Sequence, residues 1–377
     1  MRRRDFGALL TVGGLSAQTS GQENRKTAIA ASIRALEAER DSAGGGDYNK
    51  WYARLGPFRR ELRARMDSER ANRPRIDPAN PTVKQYLIRA EGKPPLFSEI
   101  FSKDYNAPDA EDGLRWAASL PSFAAVQSVA RWLERKGIDL LFVPAPKMPD
   151  VYMDRILPGV MPKDGLAAPH LRAALLELLR KDVEVADLLP AMLRSKDSTP
   201  SPLFLPADNH WSPAGRNVCV GELASRLRRY TFVREAEAAP RLYLTQTVPL
   251  AEHHSFLALL SEKERAEVAG SLHPDTVKVT LLKDRPPFGQ PYTNYPTAPV
   301  LVIGDSYSGQ IGAQLAATLN LPVAMRPIPG STVQPVRELL RYPDVLKDVK
   351  VVVWVVNYAV VCLFDWPELP SAIKNPV

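Results

Sequence analysis

The sequence predicts an α/β fold in which helices cover a parallel sheet. Three observations point there. Short apolar runs rich in β-branched residues recur, at Ile138–Val143, Val300–Ile303 and Val351–Val356. They lack the polar alternation of a half-exposed strand, so they suit strands buried on both faces. Segments with helical spacing separate these runs, and strands alternating with helices imply parallel pairing. Proline is abundant, 35 of 377 residues, against a usual frequency of about 5%, which favours ordered loops over a helical bundle.

The elements follow in chain order. Arg2-Arg3-Arg4-Asp5-Phe6 precedes the apolar stretch Gly7–Leu15 and the small residues Ser16 and Ala17. A charged start, a short apolar core and a small-residue end predict a signal peptide over 1–17. Its paired arginines suggest the twin-arginine form and a periplasmic destination, and the apolar core is too short to span a bilayer. Asn24–Arg40 and Trp51–Arg70 carry helical patterns, broken by Gly44-Gly45-Gly46, and Pro74–Pro81 reads as a linker. Residues 18–84 are therefore expected to form a helical arm and proline-rich linker outside the catalytic fold, with charged faces turned to solvent. Residues 85–377 form the expected catalytic domain. Within it, helices are predicted over Ala117–Lys136, Leu171–Leu179 and near Val336–Leu340. Strands are predicted at Asp139–Val143, Val183–Val185, Leu203–Leu205, Val300–Ile303, Val323–Pro327 and Lys350–Val356.

Two stretches carry chemistry. In Val300–Ser308 a strand runs into Gly304-Asp305-Ser306, after which Ile311, Leu315 and Leu319 lie four apart on one helical stripe. Ser306 thus sits where a strand becomes a helix, with free N–H groups beside it. A nucleophile attacking a carbonyl suits that place, because negative charge develops on the carbonyl oxygen. The alternative is a serine serving as helix N-cap. Upstream, Asp208-Asn209-His210-Trp211-Ser212-Pro213 precedes a helix whose N-cap is Ser212 and whose first residue is Pro213. Val220, Leu223, Ala224 and Leu227 form its buried stripe. Imidazole is a suitable base for a serine, and a nearby carboxylate fixes its tautomer. The alternative is an Asp-His pair that merely caps that helix.

Asp-x-His-Trp followed by Gly-Asp-Ser-x-Ser resembles the alginate O-acetyltransferase group of SGNH (GDSL-like) hydrolases. The likeness runs from about Gln85 to Trp366 and includes the strand and Pro-x-Lys turn of Ile138–Lys147. It implies a three-layer SGNH fold and an enzyme that acetylates exopolysaccharide in the periplasm. Asp208 becomes the orienting acid, His210 the base and Ser306 the nucleophile. Ordinary SGNH enzymes place the serine first and the acid and histidine last, three apart. Here the pair comes first and is two apart, as in the acetyltransferase group. The resemblance also implies Gly330 and Asn357, each after a strand, as oxyanion donors. A turn glycine and a strand-ending asparagine are the plain alternatives. Two segments depart from the family: Val351–Tyr358 lacks acidic and arginine residues, and Gln246–Thr297 has no clear counterpart.

The remaining composition narrows the partners. A net charge of +7 favours an anionic partner, and an anionic or neutral polysaccharide fits the resemblance. Arg326 is positioned to meet a uronate carboxylate, or else lies on the surface. No nucleic-acid motif occurs, so nucleic acid is not expected as a partner. The acetyl donor is expected to come from a membrane acyltransferase, and no cofactor is called for. Metal-ligand spacings are missing; adjacent His253 and His254 diverge on any regular element. Cys219 and Cys362 either pair in an exported chain or are buried thiols. The expected reaction is acetyl transfer through an acetyl-serine. A carbohydrate acetylesterase with the same residues and a noncatalytic glycan-binding module are the alternatives.

Overall fold

Seven consecutive residues, Val351–Asn357, are all buried. A strand without an exposed face needs cover on both sides, and the rest of the fold supplies it. The computed structural model describes residues 13–57, 60–61, 64, 83–88, 96–101, 121–156, 169–249, 260–269, 275–281, 298–357, 361, 366, 369–370 and 373. In chain order the first elements are α1 (Gly13–Gly44), α2 (Tyr48–Arg54), β1 (Val83–Ile88), β2 (Leu96–Phe101), α3 (Pro121–Glu134), β3 (Asp139–Ala145), α4 (Met148–Ile156) and α5 (Pro169–Arg180). Next come β4 (Glu184–Val185), α6 (Leu189–Ser195), α7 (Pro213–Leu227), α8 (Thr231–Ala238), β5 (Tyr243–Pro249), α9 (Glu262–Ala269) and β6 (Asp275–Leu281). The chain then forms β7 (Val300–Gly304), α10 (Ser306–Gly309), α11 (Gly312–Leu319), β8 (Val323–Pro327), α12 (Gln334–Arg341) and β9 (Val351–Asn357).

Five strands form one parallel sheet in the order β4-β3-β9-β7-β8. This is the α/β architecture with a parallel sheet that the sequence predicts. The last strand, β9, lies at the centre, between β3 and β7. Chain order runs outward from it on both sides, β3 to β4 and β7 to β8. The crevice beyond the carboxyl ends at such a reversal is where ligands bind in parallel sheets. Ser306 follows β7, and Asn357 ends β9, so both lie at that edge.

Several boundaries differ from expectation. Leu203–Leu205 forms no strand; Phe204 makes a single antiparallel bridge to Trp211. The helix after Ser306 is broken at Gln310–Ile311 into α10 and α11. Ile311, Leu315 and Leu319 are nevertheless all buried. Two antiparallel hairpins, β1–β2 and β5–β6, accompany the parallel sheet. The second brackets part of the Gln246–Thr297 segment. Pro74–Pro81, most of 1–17, His253, His254 and Cys362 lie outside the described residues, while Cys219 is a buried free thiol. Among the described residues, no helix is long and apolar enough to cross a membrane.

Contrary to expectation, part of the charge on α1 is not left to solvent, although Lys26, Arg34 and Asp41 are exposed. Ile29 and Leu36 join the core, and Arg25 is itself buried, paired with Glu134 at 3.0 Å and Asp139 at 3.2 Å. Glu39 meets Arg172 at 2.6 Å, and Arg172 also holds Asp187 at 2.5 Å. These carboxylates replace the water that a guanidinium loses on burial. Carboxylates of α3 and β3 hold Arg25 of α1, and Arg172 of α5 holds Glu39 of α1, so both pairings bind α1 to the sheet layers. Arg172→Met should therefore cost about 2 kcal/mol, because it removes the buried guanidinium that pairs two partly buried carboxylates. Urea denaturation followed by circular dichroism measures this; a change below about 0.5 kcal/mol would mean that the pairs are solvated.

Candidate active site

The site is assembled from two short loops that are nearly a hundred residues apart in sequence. The first carries Asp208 and His210. Leu205 N–H donates to the His210 carbonyl (3.0 Å) and Ser212 N–H to the Leu203 carbonyl (3.0 Å), closing a tight loop. Ser212 then caps α7, accepting from Gly215 N–H at 3.2 Å, with Pro213 as the first helical residue. Gly215 is needed there because a Cβ would meet the Leu203 carbonyl oxygen at 2.0 Å.

Within this loop Asp208 Oδ1 accepts two hydrogen bonds from His210, one from its main-chain N–H at 2.9 Å and one from Nδ1 at 2.6 Å. The first is an Asx turn, a bond from an aspartate to the backbone two residues on. This accounts for the two-residue spacing: the turn that folds the backbone also sets the imidazole over the same carboxylate oxygen. Asp208 is almost fully buried. A carboxylate only accepts, so Nδ1 carries the proton and Nε2 presents a lone pair.

The second loop carries the serine. Gly304 has φ +140°, and a Cβ there would lie 1.6 Å from the Val355 carbonyl oxygen. Only glycine lets β7 turn against β9 at this point. Asp305 follows as the N-cap of α10, its Oδ1 accepting from Tyr307 N–H at 2.9 Å. Ser306 is therefore the first residue inside the helix rather than its cap. Its hydroxyl is released from capping and bonds His210 Nε2 at 2.8 Å. The helix it opens is one turn long.

The two loops are locked together by Tyr307. Its hydroxyl donates to the Asn209 carbonyl, and its ring packs against His210 (5.0 Å between centroids) and edge-on against Trp211 (4.9 Å). Sequence reasoning passed over Tyr307 and Asp305. The signal available was their adjacency to Ser306 together with the aromatic Trp211 after His210.

Asn357 is nearly buried, and its main-chain N–H donates to Asp305 Oδ2 at 2.6 Å. Gly330 occupies an exposed turn beyond β8 with φ +68°. Among the described residues no hydrogen bond ties it to Ser306 or His210. Arg326 lies on β8 opposite Ile303, half-buried, with Nη1 donating to the Met325 carbonyl at 3.1 Å. Burial lowers its pKa. The Asp305 carboxyl is pushed up to about 6 by burial; N–H donation from Asn357 and Tyr307 and the nearby His210 oppose this without cancelling it.

Chemically, this is a hydroxyl, a base with its lone pair on that hydroxyl, and an acid that holds the base. Such a chain can transfer an acyl group through a serine ester. Comparison with known proteins agrees in kind. Residues 100–358, more than half of the chain, match a family described as an SGNH hydrolase-like domain of the acetyltransferase AlgX. Among solved structures, the O-acetyltransferase domain of Pseudomonas putida AlgJ is similar over 77% of this chain and 98% of its own, with 19% identity and a TM-score of 0.53. Pseudomonas aeruginosa AlgX is similar over 75% of this chain and 64% of its own, with 13% identity and a TM-score of 0.47. The first likeness is one of fold. No curated protein matches the chain in sequence.

Gly304→Ala tests the seat of the serine loop. The added methyl has no room against the Val355 carbonyl and forces a φ that alanine resists. The cost should exceed about 4 kcal/mol, the range of severe single substitutions. Thermal unfolding or loss of soluble yield reads it; a variant melting within about 2 °C of the parent would contradict the geometry.

Proposed function

The chain belongs to the SGNH hydrolase-like acetyltransferase family of AlgX, and from that membership we propose that it transfers acetyl groups to hydroxyls of a polysaccharide through an acetyl-serine at Ser306. The observation that carries the proposal is the unbroken chain Ser306–His210–Asp208, with hydrogen bonds of 2.8 and 2.6 Å. In the first half-reaction His210 Nε2 accepts the Ser306 proton as Oγ attacks the acetyl carbonyl of a donor. The carbonyl oxygen becomes an oxyanion, for which the Asn357 side chain and the Gly330 N–H are the proposed donors. Collapse expels the donor's leaving group, which takes the proton back from His210. In the second half-reaction a sugar hydroxyl attacks the acetyl-serine while giving its proton to His210. Ser306 Oγ leaves, recovers that proton, and the acetylated sugar departs. Asp208 holds the imidazole and stabilises its charged form between the two transfers.

The setting of this reaction is also part of the proposal. The basic N-terminal pattern over 1–17 supports export to the periplasm, by the twin-arginine route. The net charge of +7 supports an anionic glycan. A donor on the far side of a membrane requires a membrane acyltransferase to supply the acetyl group. Residues 18–84 are proposed as an accessory arm and 85–377 as the catalytic domain, with α1 held against it by the pairs of Arg25 and Arg172.

Ser306→Ala should lower kcat/KM on a small aryl acetate by about 10⁴-fold or more while leaving the circular dichroism spectrum unchanged. Wild-type protein given acetyl donor and glycan should place acetyl on the polymer, read by NMR, and Ser306→Ala should place none. Acetyl released only to water would make the enzyme an esterase. Activity of Ser306→Ala within a few-fold of wild type would remove Ser306 from the chemistry.

A further inference from the structure

We propose that Asp305 is a positioning residue of the acyl-transfer site, its carboxylate holding the start of the Ser306 helix with one oxygen and the end of β9 with the other. The inference rests on the reading of Ser306 as nucleophile. Oδ1 accepts from Tyr307 N–H at 2.9 Å and Oδ2 from Asn357 N–H at 2.6 Å. The Asp305 main-chain N–H donates to the Val355 carbonyl at 3.2 Å, so residue 305 is tied to β9 from both its backbone and its side chain. Ser306 and Asn357 therefore stand at a separation fixed by one carboxylate.

The choice of residue supports this role. Serine or asparagine caps a helix about as well as aspartate. Neither offers two acceptor oxygens on opposite sides at this length, because asparagine gives one acceptor and one donor group. A simple cap would not need an acid that is 2% exposed, where burial works against its charge. The same burial makes the device pH-dependent. The folded-state pKa of about 6 lies above the ordinary carboxyl value of 3.8. Protonation is thus favoured by the fold, and that stabilisation is lost as pH rises through about 6. The doubly accepting carboxylate exists above this point. Below it a proton occupies one oxygen, and one of the two N–H groups loses its acceptor. The titratable groups around Asp305 are His210 and Asp208 on the opposing loop, Tyr307 on its own helix and Arg326 on β8. β7 and β9 bring only apolar side chains and Asn357. A protonated His210 favours ionised Asp305.

Asp305→Ser separates the two functions, because a serine caps Tyr307 N–H but cannot reach Asn357 N–H. With an aryl acetate at about pH 8, kcat should fall about 10- to 100-fold, the effect of misplacing one oxyanion donor, while KM stays within about twofold. The ratio of wild-type to variant kcat should shrink towards one as pH falls to about 5, because the wild type then loses the same acceptor. A ratio constant across pH, or a variant as fast as wild type, overturns the proposal. If Asp305→Ser does not fold, Asp305→Asn is measured in the same way. If neither folds, the wild-type acid limb decides: log kcat/KM should carry an added step of about 10- to 100-fold near pH 6, and a limb described by a single protonation overturns the proposal. Ser306→Ala is run in parallel. Retained hydrolysis there sinks the nucleophile assignment, whereas a dead Ser306→Ala beside an unaffected Asp305→Ser sinks only this inference.

Discussion

The parallel pairing of β7 with β9, closed at Gly304 against Val355, is the constraint on which the site depends. The two backbones approach so closely there that no side chain fits between them. The chain must leave β7 at once, and it does so through Asp305 into the helix of Ser306. Because β9 is the central strand, the serine emerges in the crevice where the order of the sheet reverses. A residue with a Cβ at 304 would push β7 from β9 and carry Ser306 away from His210. The sheet and the catalytic distances are therefore one requirement rather than two.

The long strands were legible in sequence because their chemistry is redundant. Every residue of β9 is buried, so a run of valines states its own environment. The His210 loop was legible for a local reason: its cap, its proline and its acid–imidazole spacing all lie within six residues. Other features depended on partners far away in the chain. The burial of Arg25 and Arg172 could not be read from α1 or α5 alone, since Glu134, Asp139 and Glu39, which help to permit it, lie more than 100 residues from their arginines. The break after α10 has the same character. Gly312 packs where a Cβ would meet Met325 Sδ at 2.0 Å, a contact that only the folded sheet reveals. Sequence also left open whether Ser306 capped the helix. Asp305 answers that by taking the capping position itself, which needs the exact residue at which the helix starts, the least readable part of any element.

Tyr307 illustrates how two weak local signals become one strong structure. Each loop alone satisfies ordinary capping rules, and neither rule requires the loops to meet. The phenol of Tyr307 bonds the backbone of the other loop, and its ring lies between His210 and Trp211. Packing of three aromatic rings adds to that single hydrogen bond, because tilted and edge-on rings in contact resist rotation as well as separation. The imidazole is thus oriented on two sides, by the Asp208 carboxylate along its edge and by Tyr307 across its ring.

Two buried carboxylates, Asp208 and Asp305, sit close to one imidazole, and their surroundings assign them different work. Asp208 bonds the imidazole Nδ1 directly at 2.6 Å. It can compensate a positive charge on the ring at the moment the serine proton arrives. Asp305 spends its two oxygens on main-chain N–H groups, and the imidazole reaches it only as a field. A second carboxylate bonded directly to the ring would over-stabilise the imidazolium and make it a poor acid for the leaving group. By turning Asp305 away onto the backbone, the fold keeps one strong counter-charge on the base. The second acid is left to set where the reacting groups stand.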